Sequence, residues 1–188
     1  MRMPNAIAML AAASLIGLAG CGSAPPAPVD RFYRLQPPNV GQPQGKVTLR
    51  SIRADSLYAE RPIVFVRADD PRQLRQYHYH LWLYPPAQAV REHLSSSLGV
   101  GAERNAIQLD VRIAAFERIV DGSGGKAHAA LDITATNPAG AKLFEKRFQA
   151  TQAAGDDSFS AFTAAMEQAL QRIYGELAQE LAGTKAGR

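Results

Sequence analysis

Apolar residues are spaced along this chain in three distinct ways. From Ala6 to Leu18 they form an unbroken run of thirteen residues in which Ser14 is the only polar member. Through the middle they recur at every second position. Val47 and Leu49 alternate with Thr48 and Arg50, and Ile63–Val66 is a short continuous run suited to a central strand covered on both sides. Gln76–Tyr84 alternates two sets of rings: Tyr77, Tyr79, Leu81 and Leu83 against His78, His80, Trp82 and Tyr84. Ile107, Leu109, Val111, Ile113 and Ala115 keep period two, as do Ala129, Leu131, Ile133 and Ala135, and a more polar third strand follows over 143–149. Near the C-terminus the spacing becomes helical: Phe159, Phe162, Met166, Leu170, Ile173, Leu177 and Leu181 are separated by 3, 4, 4, 3, 4 and 4 residues.

Punctuation between these runs sets the expected order of elements. Phe32–Leu35 reads as a short edge strand, because Pro37 and Pro38 cannot continue a ladder. Asp55 is placed to cap a short helical turn before Pro62, and Asp69–Asp70–Pro71 reads as a turn. Pro85–Pro86 opens a helix with an apolar stripe at Ala87, Val90, Leu94 and Leu98 and a stop at Gly99. Turns at 121–125 and 137–140 join the last three strands into an antiparallel meander. Asp157 or Ser158 caps the final helix and Gly183 ends it, while Gly175 inside that helix costs about 1 kcal/mol relative to alanine. The fold class is therefore α/β: a mixed sheet with a C-terminal antiparallel meander, packed against helices that include a long C-terminal one. Helices between strands in the first half suggest parallel crossovers there.

The thirteen-residue run is too short to span a bilayer, which needs about 20 apolar residues, and with Arg2 before it reads as a signal peptide over 1–20. It ends in Leu18–Ala19–Gly20–Cys21, which resembles the bacterial lipoprotein box. That resemblance implies lipidation of Cys21 and a new N-terminus there. A single cysteine can make no internal disulfide, which fits this use of the thiol. Gly22, where aspartate would signal inner-membrane retention, implies sorting to the outer membrane with the domain facing the periplasm. Residues 21–30 then form the lipidated N-terminus and a Pro-rich tether, 31–183 a single domain, and 184–188 a flexible tail. The net charge of +4 is too small and scattered to argue for nucleic acid, and no such partner is expected.

Catalytic and metal chemistry find little support in the residues. His78 and His80 lie two apart on one strand face, as some zinc sites require, but His93 and His128 supply no third ligand in a recognisable motif. They remain weak candidates, and no metal or other cofactor is expected. Ser95–Ser97 lack a nucleophile elbow, the paired aspartates sit at turns and a helix start, and the 122–125 loop lacks a phosphate-binding lysine. No catalytic residue is expected and the chain is not read as an enzyme. Tyr58, Tyr77, Tyr79, Trp82, Tyr84 and Pro85 are the candidate partner-binding or scaffold residues, since large rings with polar tips are enriched at interfaces.

The order of these features is similar to that of the ABC-type transport auxiliary lipoprotein family, which includes the lipoprotein of the paraquat-inducible intermembrane transport system. The resemblance runs through the lipobox, Phe32–Tyr33–Arg34–Leu35, Leu57–Tyr58, Arg61–Pro62–Ile63–Val64, Tyr79-x-x-Trp82-x-x-Pro85, Leu94-x-x-x-Leu98 and the long terminal helix. It implies a non-enzymatic outer-membrane component that docks beside an ABC transporter and an MCE-domain protein, in a system moving phospholipid or other hydrophobic molecules across the envelope. Ring formation by a homo-oligomer is compatible with it. The histidines around Trp82 and the Pro-Gln-Gly stretch after Leu35 depart from the family pattern. Two rival readings stay open, a periplasmic carrier with a lipid inside the domain and a structural envelope lipoprotein.

Overall fold

The computed structural model describes residues 27–38, 47–100, 106–122 and 124–186. The apolar leader, Cys21 and the first part of the tether lie outside them. Seven strands and two long helices follow in the order β1 (Arg31–Tyr33), β2 (Val47–Ala54), β3 (Pro62–Arg67), β4 (Asp70–Trp82), α1 (Pro86–Ser97), β5 (Ile107–Val120), β6 (Lys126–Thr136), β7 (Lys142–Ala153) and α2 (Phe159–Ala186). A single 3-10 turn at Ser56–Ala59 separates β2 from β3.

All seven strands share one mixed sheet in the order β1-β4-β3-β5-β6-β7, with β2 also on β5. Both β2 and β3 run parallel to β5, β2 along Ile107–Ile113 and β3 along Glu117–Val120, so one long strand serves as the spine for two short ones. β5, β6 and β7 are the expected antiparallel meander, and β7, the most polar of the three, is at the edge. The parallel pairs of the first half do not come from simple helical crossovers. α1 leads from β4 to β5, which are not neighbours, because β4 first folds back on β3 as an antiparallel hairpin.

One face of the sheet is apolar and carries both helices. Leu109, Val111, Ile113 and Phe116 of β5, the odd-numbered positions from Ala127 to Ala135 of β6, and Phe148 of β7 are buried against Phe162, Met166, Leu170, Ile173 and Leu177 of α2. Fully burying a side chain of this size contributes about 1.5–3 kcal/mol, which is why the period-two and period-3.6 patterns meet here. His93 of α1 packs its ring edge-on to Tyr174 of α2, centroids 6.4 Å apart, so the helices share that face. The opposite face is charged, and Arg112, Asp132 and Arg147 lie side by side across β5, β6 and β7.

Several local expectations are corrected. The turn at 69–71 is displaced to Ala68–Asp69, and β4 starts at Asp70 with Pro71 inside it. Proline is tolerated there because β1 pairs only with His80–Trp82, so among the described residues the side of β4 away from β3 has no partner strand at Pro71. The inward phase of β5 slips between Ile113 and Ala115, so Phe116 and then Arg118 point to the helices in place of Ala115. Asp55 makes no side-chain cap on the 3-10 turn; its carboxylate pairs with Arg112 instead. Ser158 is the cap of α2, its Oγ accepting from the Ala161 amide at 3.0 Å. Helix α2 passes through Gly183 to Ala186, since a lone glycine weakens a helix without ending it.

Candidate functional site

The aromatic residues singled out in the sequence converge where β1 and β4 meet the start of α2. β1 pairs in parallel with β4, Arg31 opposite His80, Phe32 opposite Leu81 and Tyr33 opposite Trp82. Three residues of β4 are extruded between Gln76 and Leu81 relative to β3, and this slip turns Tyr77 and His80 to the same side of the sheet. Strict alternation would have put them on opposite sides. Both instead pack on Phe159, His80 stacked at 3.7 Å between centroids and Tyr77 edge-on at 4.8 Å.

Around them the site is an ordered set of rings. Tyr33 stacks on Phe159 at 5.3 Å and its hydroxyl shares a hydrogen bond of 2.9 Å with His80 Nδ1. Burial, with Arg31 and Arg118 nearby, lowers the His80 pKa, so the imidazole is neutral at pH 7. Burial also raises the pKa of Tyr33 and Tyr77, which remain phenols. Phe65 of β3 completes the group against Tyr77 at 4.3 Å.

Arg118 lies beneath this cluster, only 3% exposed. Its guanidinium is 4.9 Å from the Phe159 ring centre and donates to the Asp157 carbonyl at 2.8 Å and to the Asp157 carboxylate. The strand thereby pins the first turn of α2 by a buried cation that is both ring-stacked and paired. Sequence reading missed Arg118 and Phe159 as partners because the slip in β5 moves Arg118 inward. The one available signal was Phe116, an apolar residue out of phase with Ile107–Ile113.

The other candidates divide by exposure. Trp82 is buried against Phe116 and Phe162, at 5.5 and 5.6 Å. Tyr58 is buried, with its hydroxyl donating to Glu117, and burial followed by that carboxylate raises its pKa. Both rings are scaffold. Tyr79 and Tyr84 are exposed at 45% and 43%, with Pro85 half-buried as the cap of α1. His78 is exposed while His80 is inside the ring cluster, so the pair does not present two imidazoles to one ion. Among the described residues no three His, Cys, Asp or Glu side chains come together as metal ligands. Beside the cluster, a groove of about 320 Å³ runs between β1 and α1, lined by Tyr33, Leu35, Trp82, Tyr84 and His93. Burial lowers the pKa of His93, whose Nε2 lies 3.4 Å from the Leu35 carbonyl.

The charged face is built from ion pairs across strands. Arg147 holds Asp132 through two bonds of 2.6 and 2.9 Å, Arg112 bridges Asp132 and Asp55, and Arg50 pairs with Asp110. The Arg147 and Arg112 bonds hold the Asp132 carboxyl down at about 2. The Arg50, Arg112 and Arg147 guanidinium groups are committed to the carboxylates of Asp55, Asp110 and Asp132, and Ser51 also donates to Asp110, so this face carries ordered charge.

Comparison with known proteins agrees with this architecture. A crystal structure of a Xanthomonas campestris protein superposes with a TM-score of 0.71 at 17% identity, over 84% of this chain and 99% of the other. A second crystal structure, of an uncharacterized protein, gives a TM-score of 0.66 at 16% identity, over 81% of this chain and 99% of the other. No curated protein matches the chain. Among the described residues no helix is long and apolar enough to cross a membrane. The profile of the ABC-type transport auxiliary lipoprotein component matches residues 33–178, from the last residue of β1 into α2, and the chain belongs to that family.

Proposed function

We propose that this chain is a non-enzymatic outer-membrane lipoprotein, held by acyl chains on Cys21, that docks an MCE-type ABC transport system moving phospholipid or other hydrophobic molecules across the envelope. Membership of a lipoprotein family makes it a membrane-anchored envelope protein, and that family is a transport auxiliary component, not an enzyme family. The observation that carries the docking reading is the asymmetry of the sheet. One face is sealed by α1 and α2, while the other carries the paired charges of Arg50, Asp110, Arg112, Asp132 and Arg147. Ordered charges on a rigid surface favour recognition of one partner over others, because a mismatched surface leaves them unpaired.

A lipid carrier is the weaker reading, because the space between sheet and helices is filled by the protein's own side chains. Ile63, Leu109, Ile113, Leu131, Ile133, Phe162 and Ile173 are all at 0% exposure. The test is co-purification of the acylated protein from its own membranes. Recovery of an MCE-domain protein, reduced by Arg53→Glu at the margin of the charged face, is the expected result. Extraction of phospholipid in fixed ratio by the purified protein, with no MCE-domain partner recovered, would overturn it in favour of the carrier.

A further inference from the structure

We propose that the β1–β4 edge is itself a membrane contact, with Phe32, Tyr79 and Tyr84 resting in the headgroup layer of the bilayer that anchors the chain. Among the described residues the large apolar side chains that stand in solvent are Val29, Phe32, Leu74, Tyr79 and Tyr84. Four of these five belong to β1, the residues just before it, or the C-terminal part of β4 and its exit. Phe32 is 50% exposed although it lies in a strand, because Tyr33 takes the helix-facing side and strand alternation sends Phe32 to the other. Tyrosine is enriched where water meets hydrocarbon, and phenylalanine is among the residues that interfacial segments turn toward the acyl chains.

Charge and reach select a lipid surface as the occupant. Arg31, Arg34 and Arg61 are exposed around the rings, and the Arg61 guanidinium stands 4.9 Å over the face of Phe32. Asp30 and Glu60 oppose them, so these segments carry an excess of one positive charge, of the sign that anionic phospholipid attracts. β1 is also the first described element after the anchor. At no more than about 3.5 Å per residue, the chain between Cys21 and Arg31 cannot carry this edge beyond about 35 Å from the lipidated cysteine. The partner face, by contrast, lies over β5, β6 and β7, so the bilayer and a docked protein would not compete for one surface.

This inference rests on the lipoprotein reading and not on the transport partner. The experiment uses the full mature acylated protein in vesicles of phosphatidylethanolamine and phosphatidylglycerol at 3:1, with brominated lipid as the quencher. Tryptophan is introduced by Phe32→Trp or, as a control on the far edge, by Gln149→Trp in exposed β7; native Trp82 is buried and gives the common background. Quenching by brominated lipid is expected to be at least about twofold stronger for F32W than for Q149W, and to fall when Arg31→Glu and Arg34→Glu are added. Equal quenching of the two variants would overturn the proposal. So would a blue-shifted but unquenched F32W, which would give the edge to a second copy or another protein. Mass spectrometry of the same samples separates the failures: an unmodified Cys21 refutes the anchor and the surface together, whereas an acylated chain with unquenched F32W refutes the surface alone.

Discussion

Replacing Tyr174 with phenylalanine is expected to stabilise this fold, although it removes a polar group from an internal position. Tyr174 is 0% exposed in the middle of α2, and its hydroxyl has no hydrogen-bond partner among the described residues. Complete burial raises its pKa, so the group is a neutral phenol at any ordinary pH. The nearest polar ring is His93, 6.4 Å away between centroids, and its Nδ1 is unpartnered as well. A buried hydroxyl left without a partner costs about 1–3 kcal/mol, and Tyr174→Phe keeps the ring, its packing and its rotamer while deleting only the oxygen. A gain of about 1–2 kcal/mol follows, or roughly 2–8 °C in Tm for a domain of this size. The assay is urea unfolding of the mature chain followed by circular dichroism, with an unchanged m-value as the check that the folded and unfolded states are otherwise the same. A loss of 1 kcal/mol or more would refute the reasoning, because it would mean that the hydroxyl is satisfied in solution. Tyr79→Phe, at an exposed ring, should change stability by less than about 0.5 kcal/mol and serves as the reference.

Asp132 supplies a pH test. Its folded-state carboxyl is held at about 2 by Arg147 and then Arg112, below an unfolded value near 4, so its contribution is present above the unfolded pKa and is lost as the pH falls through about 2. Partial exposure screens the pairs, and Asp132→Asn should cost about 1 kcal/mol at pH 7 and flatten the stability profile between about pH 4 and 2, read by denaturant titrations across that range. Arg118→Ala should cost about 1–2 kcal/mol by removing a buried cation from two rings and from Asp157, which is itself exposed and stays solvated, measured by the same unfolding assay. Two glycines should respond in opposite directions. Gly175→Ala meets open space inside α2 and should stabilise by up to about 1 kcal/mol. Gly125→Ala should destabilise by about 1–3 kcal/mol in the same urea unfolding assay, because φ is +81° and a Cβ would sit 3.0 Å from the Ile119 carbonyl oxygen.

Element identity was legible wherever a residue's own spacing decided which side it faced. The stripe from Phe159 to Leu181 is the buried face of α2, Pro86 and Gly99 bracket α1, and the meander of β5, β6 and β7 follows from alternating runs joined by turn-forming residues. The polar composition of β7 also announced its place at an edge. These features depend on interactions within a few residues, or on the requirement that one side of an element leave water, and a single chain of letters records both.

The candidate site was legible only in its residue types. Tyr77, His80 and Trp82 were conspicuous, but alternation assigned the first to the wrong side, because the slip in β4 is set by pairing with β3. The slip in β5 likewise turned Arg118 inward, where Asp157, 39 residues later, and Phe159 at the start of α2 receive it. Exposure of Tyr79 and Tyr84 and burial of Tyr58 could not be separated by composition, since all three are the same amino acid. The sequence by itself determined the helices, the strands, the meander and the lipobox resemblance at Cys21. Tertiary structure alone decided strand order, the shared helix face and which rings remain at the surface, because register and burial arise from contacts between segments far apart in the chain.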